Sequence, residues 1–105
     1  MFALTVLYGQ PDDPDAFEQY YDTAHKEVAQ KLPNVRRKAL GKAVGSPGGG
    51  TPAYYRSATL FFDSRQEGEQ ALSSPEGRAL LADIPKFSTG GAEIFFAEVK
   101  EINVE

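Results

Sequence analysis

Residues 54–62, YYRSATLFF, decide how this chain folds. Nine residues rich in aromatic and β-branched types, with no Gly or Pro, read as a strand. Successive side chains of a strand point to opposite faces, so Tyr54, Ala58, Leu60 and Phe62 oppose Tyr55, Ser57, Thr59 and Phe61. Large apolar groups therefore stand on both sides. Residues 92–104, AEIFFAEVKEINV, repeat the pattern, with Ile94, Phe96 and Ile102 against Phe95, Ala97 and Val99. Residues 2–9, FALTVLYG, alternate Phe2, Leu4, Val6 and Tyr8 with Ala3, Thr5 and Leu7. Both of those sets are largely apolar, which predicts a central strand covered on both faces.

The segments between the strands are helical or turn-like. Asp13 is a natural N-cap, Pro14 fits the first helical position, and a helix is expected from about Pro14 to Leu32, ended by Pro33 and Asn34. On a helical wheel Phe17, Tyr20, Tyr21, Ala24 and Val28 share a stripe of roughly 100°, continuing to Leu32. Residues 36–44 form a weaker strand, diluted by Lys38, Lys42 and two glycines, and 45–52, GSPGGGTP, a flexible hairpin connection. Asp63 or Ser64 starts a second helix with Ala71 and Leu72 among its apolar contacts. Ser74-Pro75-Glu76 restarts a short one through Leu80, Leu81 and Ile84. Pro85–Gly91 is a loop and a candidate flap. The order βαββαβ predicts an α+β, ferredoxin-like domain over 1–105: a four-stranded antiparallel sheet with helices on one face. Helices of one copy cover one face only. An apolar sheet face left open is unusual for a soluble monomer, so a symmetric homodimer through that face is expected.

Composition narrows the partners. Fifteen acidic against eleven basic residues give a net charge of −4, which argues against nucleic acid. The local exception is Arg36, Arg37, Lys38 and Lys42, either a charged strand edge or an anion or partner contact. The chain has no Cys and one His, so no zinc-thiolate or transition-metal cluster is expected, and no cofactor motif appears. Met1–Tyr8 is too short to span a membrane and lacks the basic start of a signal, leaving the cytoplasm as the expected compartment.

Chemistry falls to few residues. His25 is the sole imidazole, and its near-neutral pKa suits general acid–base work. On the wheel it lies about 40° beyond Tyr21, at the stripe's margin, and Glu18 and Asp22 flank it as possible ring orienters. A structural hydrogen-bonder is the competing role. Tyr20 and Tyr21 carry phenols that need partners if buried, either backbone or a polar spot in a pocket. Tyr8 shares that ambiguity. Arg56, inside a strand, needs a carboxylate, from Glu93 or Glu98, or a ligand anion.

The run 8–33, YGQPDDPDAFEQYYDTAHKEVAQKLP, resembles the start of EthD-type proteins through Tyr8, Pro11, Phe17, Tyr20, Tyr21, His25, Leu32 and Pro33. Lys26-Glu27-Val28 stands where that pattern commonly has a Pro soon after the His. The resemblance implies a dimeric α/β barrel with a cavity between each sheet and its own helices. Relatives include cofactor-independent monooxygenases, isomerases, cyclases and haem binders, though His25 has no second residue in support of haem. The resemblance implies a ligand cavity, for which a small apolar molecule is the expected partner; with the readings of the residues themselves, His25 and Tyr21 are the catalytic candidates and Tyr8, Phe17, Tyr20 and Arg56 the candidate ligand contacts. Three roles follow: an enzyme acting on an apolar or aromatic carbonyl compound, a non-catalytic binder in a degradation pathway, or a dimer module whose cavity is filled core.

Overall fold

The computed structural model describes residues 1–104. Strands β1 (Phe2–Gly9), β2 (Arg37–Lys42), β3 (Tyr54–Phe62) and β4 (Ala92–Glu98) form one antiparallel sheet in the order β2-β3-β1-β4. Helix α1 (Pro14–Tyr20) runs through a π-helical turn, Tyr21–His25, into α2 (Lys26–Gln30). Helices α3 (Arg65–Ser73) and α4 (Pro75–Asp83) follow β3, and a 3₁₀ turn, Ile84–Lys86, closes α4. This is the ferredoxin-like βαββαβ arrangement expected from the strand pattern. Helix starts obey local chemistry: Asp13, Ser64 and Ser74 accept from Ala16, Glu67 and Gly77 amides at 3.2, 3.2 and 3.0 Å.

Phe2, Leu4, Val6 and Tyr8 face the helices, and register places Phe62, Leu60 and Ala58 beside the first three. Phe62 and Leu4 are almost fully buried; a side chain of that kind contributes about 1.5–3 kcal/mol by leaving water. Between Tyr8 and Gly9 the register slips past Tyr55, a β-bulge. Tyr55 thereby joins the aromatic core, its ring 5.1 Å from Phe17.

Three expectations need correction. First, the last strand stops at Glu98 instead of running to 104. Val99 N–H still donates to Met1 O, but the pairing with β1 ends at Phe2 opposite Glu98, and Ile102 and Val104 stand exposed. Second, the open face is less apolar than its strands suggest. Its centre is Thr5, Thr59 and Ser57, while the Arg37 guanidinium lies 4.2 Å over the Phe61 ring. Exposed apolar surface gathers on edge strand β4, where Phe95, on the open face, is 46% exposed and Ile94 and Phe96, on the other, are 39% and 38% exposed. Ile94 and Phe96 share the helix-side row with Val6 and Leu4, but the helices lie over β1 and β3 and leave this edge uncovered. Third, the Pro85–Gly91 segment is pinned. Phe87 is buried core, Gly9 N–H donates to Gly91 O at 2.9 Å, and Asp12 N–H donates to Thr89 Oγ1 at 2.9 Å. A Cβ on Gly9 would stand 2.2 Å from Gly90 O, so only glycine permits this approach.

Candidate functional site

The π turn sets the site's geometry. In an α-helix each residue advances about 100°, so position i+4 runs about 40° past position i. The wider turn over Tyr21–His25 advances less per residue, and His25 comes to lie directly over Tyr21, their rings stacked at 5.6 Å and 15°. The Thr23 hydroxyl bonds back to the Gln19 carbonyl at 2.6 Å, the local competition that disturbs a regular helix. His25 is therefore buried, at 6% exposure, instead of at a wet margin, while Ala24 of the expected stripe faces solvent.

His25 Nδ1–H donates to Asp83 Oδ2 at 2.8 Å, and Tyr20 O–H donates to Asp83 Oδ1 at 2.7 Å. Asp83 is itself 5% exposed, with the Lys86 ammonium 3.8 Å away. Burial opposes the Asp83 charge, but the Tyr20 and His25 hydrogen bonds and nearby positive charge outweigh it, holding the carboxyl below its ordinary range. An ionised carboxylate only accepts, so Nδ1 carries the ring proton and Nε2 keeps its lone pair. Burial holds the imidazole pKa below its usual value despite the Asp83 contacts, and Lys38 adds to the effect. Near pH 7 the ring is neutral, with a basic Nε2.

That ring lines a cavity of about 350 Å³ between the helices and the sheet. Its buried floor is Val6, Tyr8, Ala58, Leu60, Leu80 and Ile84, beside Tyr21 and His25. Its exposed mouth is formed by Asp22, Lys26, Gln30, Lys38 and Leu40. Burial pushes the Tyr8 and Tyr21 phenols up, so both stay protonated donors, and neither hydroxyl has a hydrogen-bond partner among the described residues. The space beside His25 is thus not filled core.

Of the residues singled out from sequence, His25, Tyr21 and Tyr8 meet in this cavity. Phe17 does not line it; it packs behind, against Tyr8 and Tyr21 at 5.4 Å each. Tyr20 acts on Asp83 and stacks on Phe87 at 5.3 Å. Arg56 pairs with Glu18 of α1, Nε to Oε2 at 3.1 Å with a second contact from Nη2, and its guanidinium lies 5.1 Å from the Tyr21 ring centre. The expected partners could not serve: Glu93 pairs with Leu7 in the open-face row and Glu98 stands at the far end beside Phe2. Glu18, held by Arg56 and Lys42, does not orient His25, and neither does Asp22. Asp83 does that, from 58 positions away, and sequence reasoning missed it. Its one trace was an acidic residue among the apolar residues of a short helix.

The model for the EthD domain matches residues 10–91. The chain belongs to the EthD family. The matched span holds both His25 and Asp83, while Tyr8 lies just outside it. An uncharacterised 11.0 kDa protein of the thcB–thcC intergenic region of Rhodococcus erythropolis is 37% identical over 102 residues, covering 97% of this chain and 98% of that one. The crystal structure of an ethyl tert-butyl ether d (EthD) family protein from Bacillus halodurans superposes with a TM-score of 0.89 at 30% identity, over 95% of this chain and 99% of that one. A dimeric ferredoxin-like protein of unknown function from Thermobifida fusca shares the fold at 21% identity, with a TM-score of 0.67 over 93% and 90% of the two chains. No helix of this EthD protein is long and apolar enough to cross a membrane among the described residues.

Proposed function

We propose that this EthD protein is an enzyme that works without metal or bound cofactor on a small apolar or aromatic carbonyl compound. The carrying observation is the His25–Asp83 pair, 2.8 Å apart, in the wall of a largely apolar cavity. Nε2 of neutral His25 removes a proton from the carbon next to the carbonyl. The electron pair left behind moves onto the carbonyl oxygen, which the Tyr8 and Tyr21 hydroxyls are protonated to receive. The imidazolium formed is steadied by Asp83, and Tyr20 holds that carboxylate in place. Return of the proton to another atom gives isomerisation. We read the working unit as a cytoplasmic homodimer of single 1–105 domains. The uncovered Ile94, Phe95 and Phe96 and the dimeric relative of the same fold support that pairing.

The test is solvent deuterium exchange. Incubated in D2O with a panel of apolar ketones and 1,3-diketones, the wild type should speed deuterium uptake next to the carbonyl, followed by proton NMR, and His25→Ala should not. Uptake equal in both proteins overturns the catalytic role. Binding without uptake in either favours the ligand carrier of a degradation pathway.

A further inference from the structure

The cluster Arg36, Arg37, Lys38 and Lys42 is resolved by subtraction. Arg36 pairs with Asp63 at 2.8 Å and Glu67 at 4.0 Å. Arg37 pairs with Glu101 at 3.1 Å, and Lys42 with Glu18 at 3.5 Å. Lys38 makes no ion pair among the described residues. Its register partner is Leu60, in the row facing the helices, and it lines the mouth of the His25 cavity. Lys26, across that mouth on α2, is likewise unpaired. Among the described residues the mouth's only carboxylate is Asp22, also without an ion pair.

Two ammonium groups against one carboxylate leave this opening net positive on a chain whose formal charge is −4. Guarding an edge strand asks only for charge along it, which Arg37 and Lys42 already supply. Lys38 differs from both in having no ion pair among the described residues and in standing at the mouth of an apolar cavity. We propose that Lys38 and Lys26 form an oxyanion subsite at the cavity mouth, so that the preferred ligand is an apolar molecule bearing one carboxylate. The apolar body would lie on Val6, Ala58, Leu60, Leu80 and Ile84, with the anionic end outward. This inference rests on the cavity being the ligand site. The groups around His25 are Asp83 from α4, Lys86 beyond it, Tyr21 and Asp22 on its own helix, Lys26 next in sequence, and Lys38 from β2. Lys38 depresses the imidazole pKa, consistent with its reach into the cavity.

The probes are 2-naphthoate and its neutral counterpart 2-naphthamide. With one His in the chain, a single imidazole NMR signal reports both. The wild type should bind the naphthoate roughly five- to tenfold tighter, the product of two partly exposed charge pairs. In Lys38→Met with Lys26→Met that preference should fall below about twofold, with naphthamide affinity unchanged as proof of an intact cavity; Asp22→Asn should widen it. Equal affinities in the wild type, or a preference that survives both lysine changes, overturn the subsite while leaving the cavity reading in place. If neither probe moves the His25 signal, the cavity reading falls and the subsite falls with it.

Discussion

Asp83→Asn tests the centre of the site. Asp83 accepts two hydrogen bonds, from Tyr20 at 2.7 Å and His25 at 2.8 Å, while almost fully buried. An asparagine has one acceptor oxygen and one donor nitrogen. It can hold Tyr20 through the oxygen, but its amide then faces Nδ1 and forces the ring proton onto Nε2. The lone pair that should face the cavity is lost. Hydrogen bonds to charged groups contribute about 1.5–3 kcal/mol, so with one of two weakened and the other impaired the fold should lose roughly 2–3 kcal/mol. For a domain of this size that lowers Tm by about 10–20 °C. Nitrogen-detected NMR of the lone imidazole reads the tautomer directly, and thermal unfolding reads the stability. An unchanged tautomer with an unchanged Tm would refute the pairing on which the proposed chemistry stands.

Three further outcomes follow. Because burial depresses the folded His25 pKa, the unfolded chain binds its proton first on acidification, so stability should be full above about pH 6.5 and decline below it. Asp83, also depressed, should add a second decline below about pH 4, and urea unfolding of wild type and His25→Gln from pH 8 to 3 separates the two. Gly9→Ala drives a methyl into the Gly90 carbonyl and should cost about 1–3 kcal/mol by urea unfolding. Phe95→Asp places a charge on the open sheet face and should turn a dimer into a folded monomer by sedimentation velocity.

The fold was legible because strand alternation and helix caps are local. Phe2 through Tyr8 and the Ser74-Pro75 restart each carry their signal within a few residues. The site was legible only on one side. His25 and Tyr21 announced themselves by type and spacing, but Asp83 is defined by a contact across 58 residues. The π turn escaped because a helical wheel assumes one fixed advance per residue. The end of β4 at Glu98 depended on where β1 begins, which the tail's own alternation does not contain. Arg56 was paired with the wrong glutamates because the sheet register, and hence which row faces the helices, is not written in one strand alone.

The pinned segment around Phe87 has a consequence for traffic. Tyr8, at the cavity floor, is backed by Phe17 and Phe87, which pack on it at 5.4 Å each, and Gly9 is locked on Gly90, while Lys38 and Leu40 stand exposed at the mouth. Bulk added at the deep end of a ligand meets a wall of aromatic rings, whereas a tail at the other end trails into water, so the protein should discriminate sharply by ring size and hardly at all by chain length.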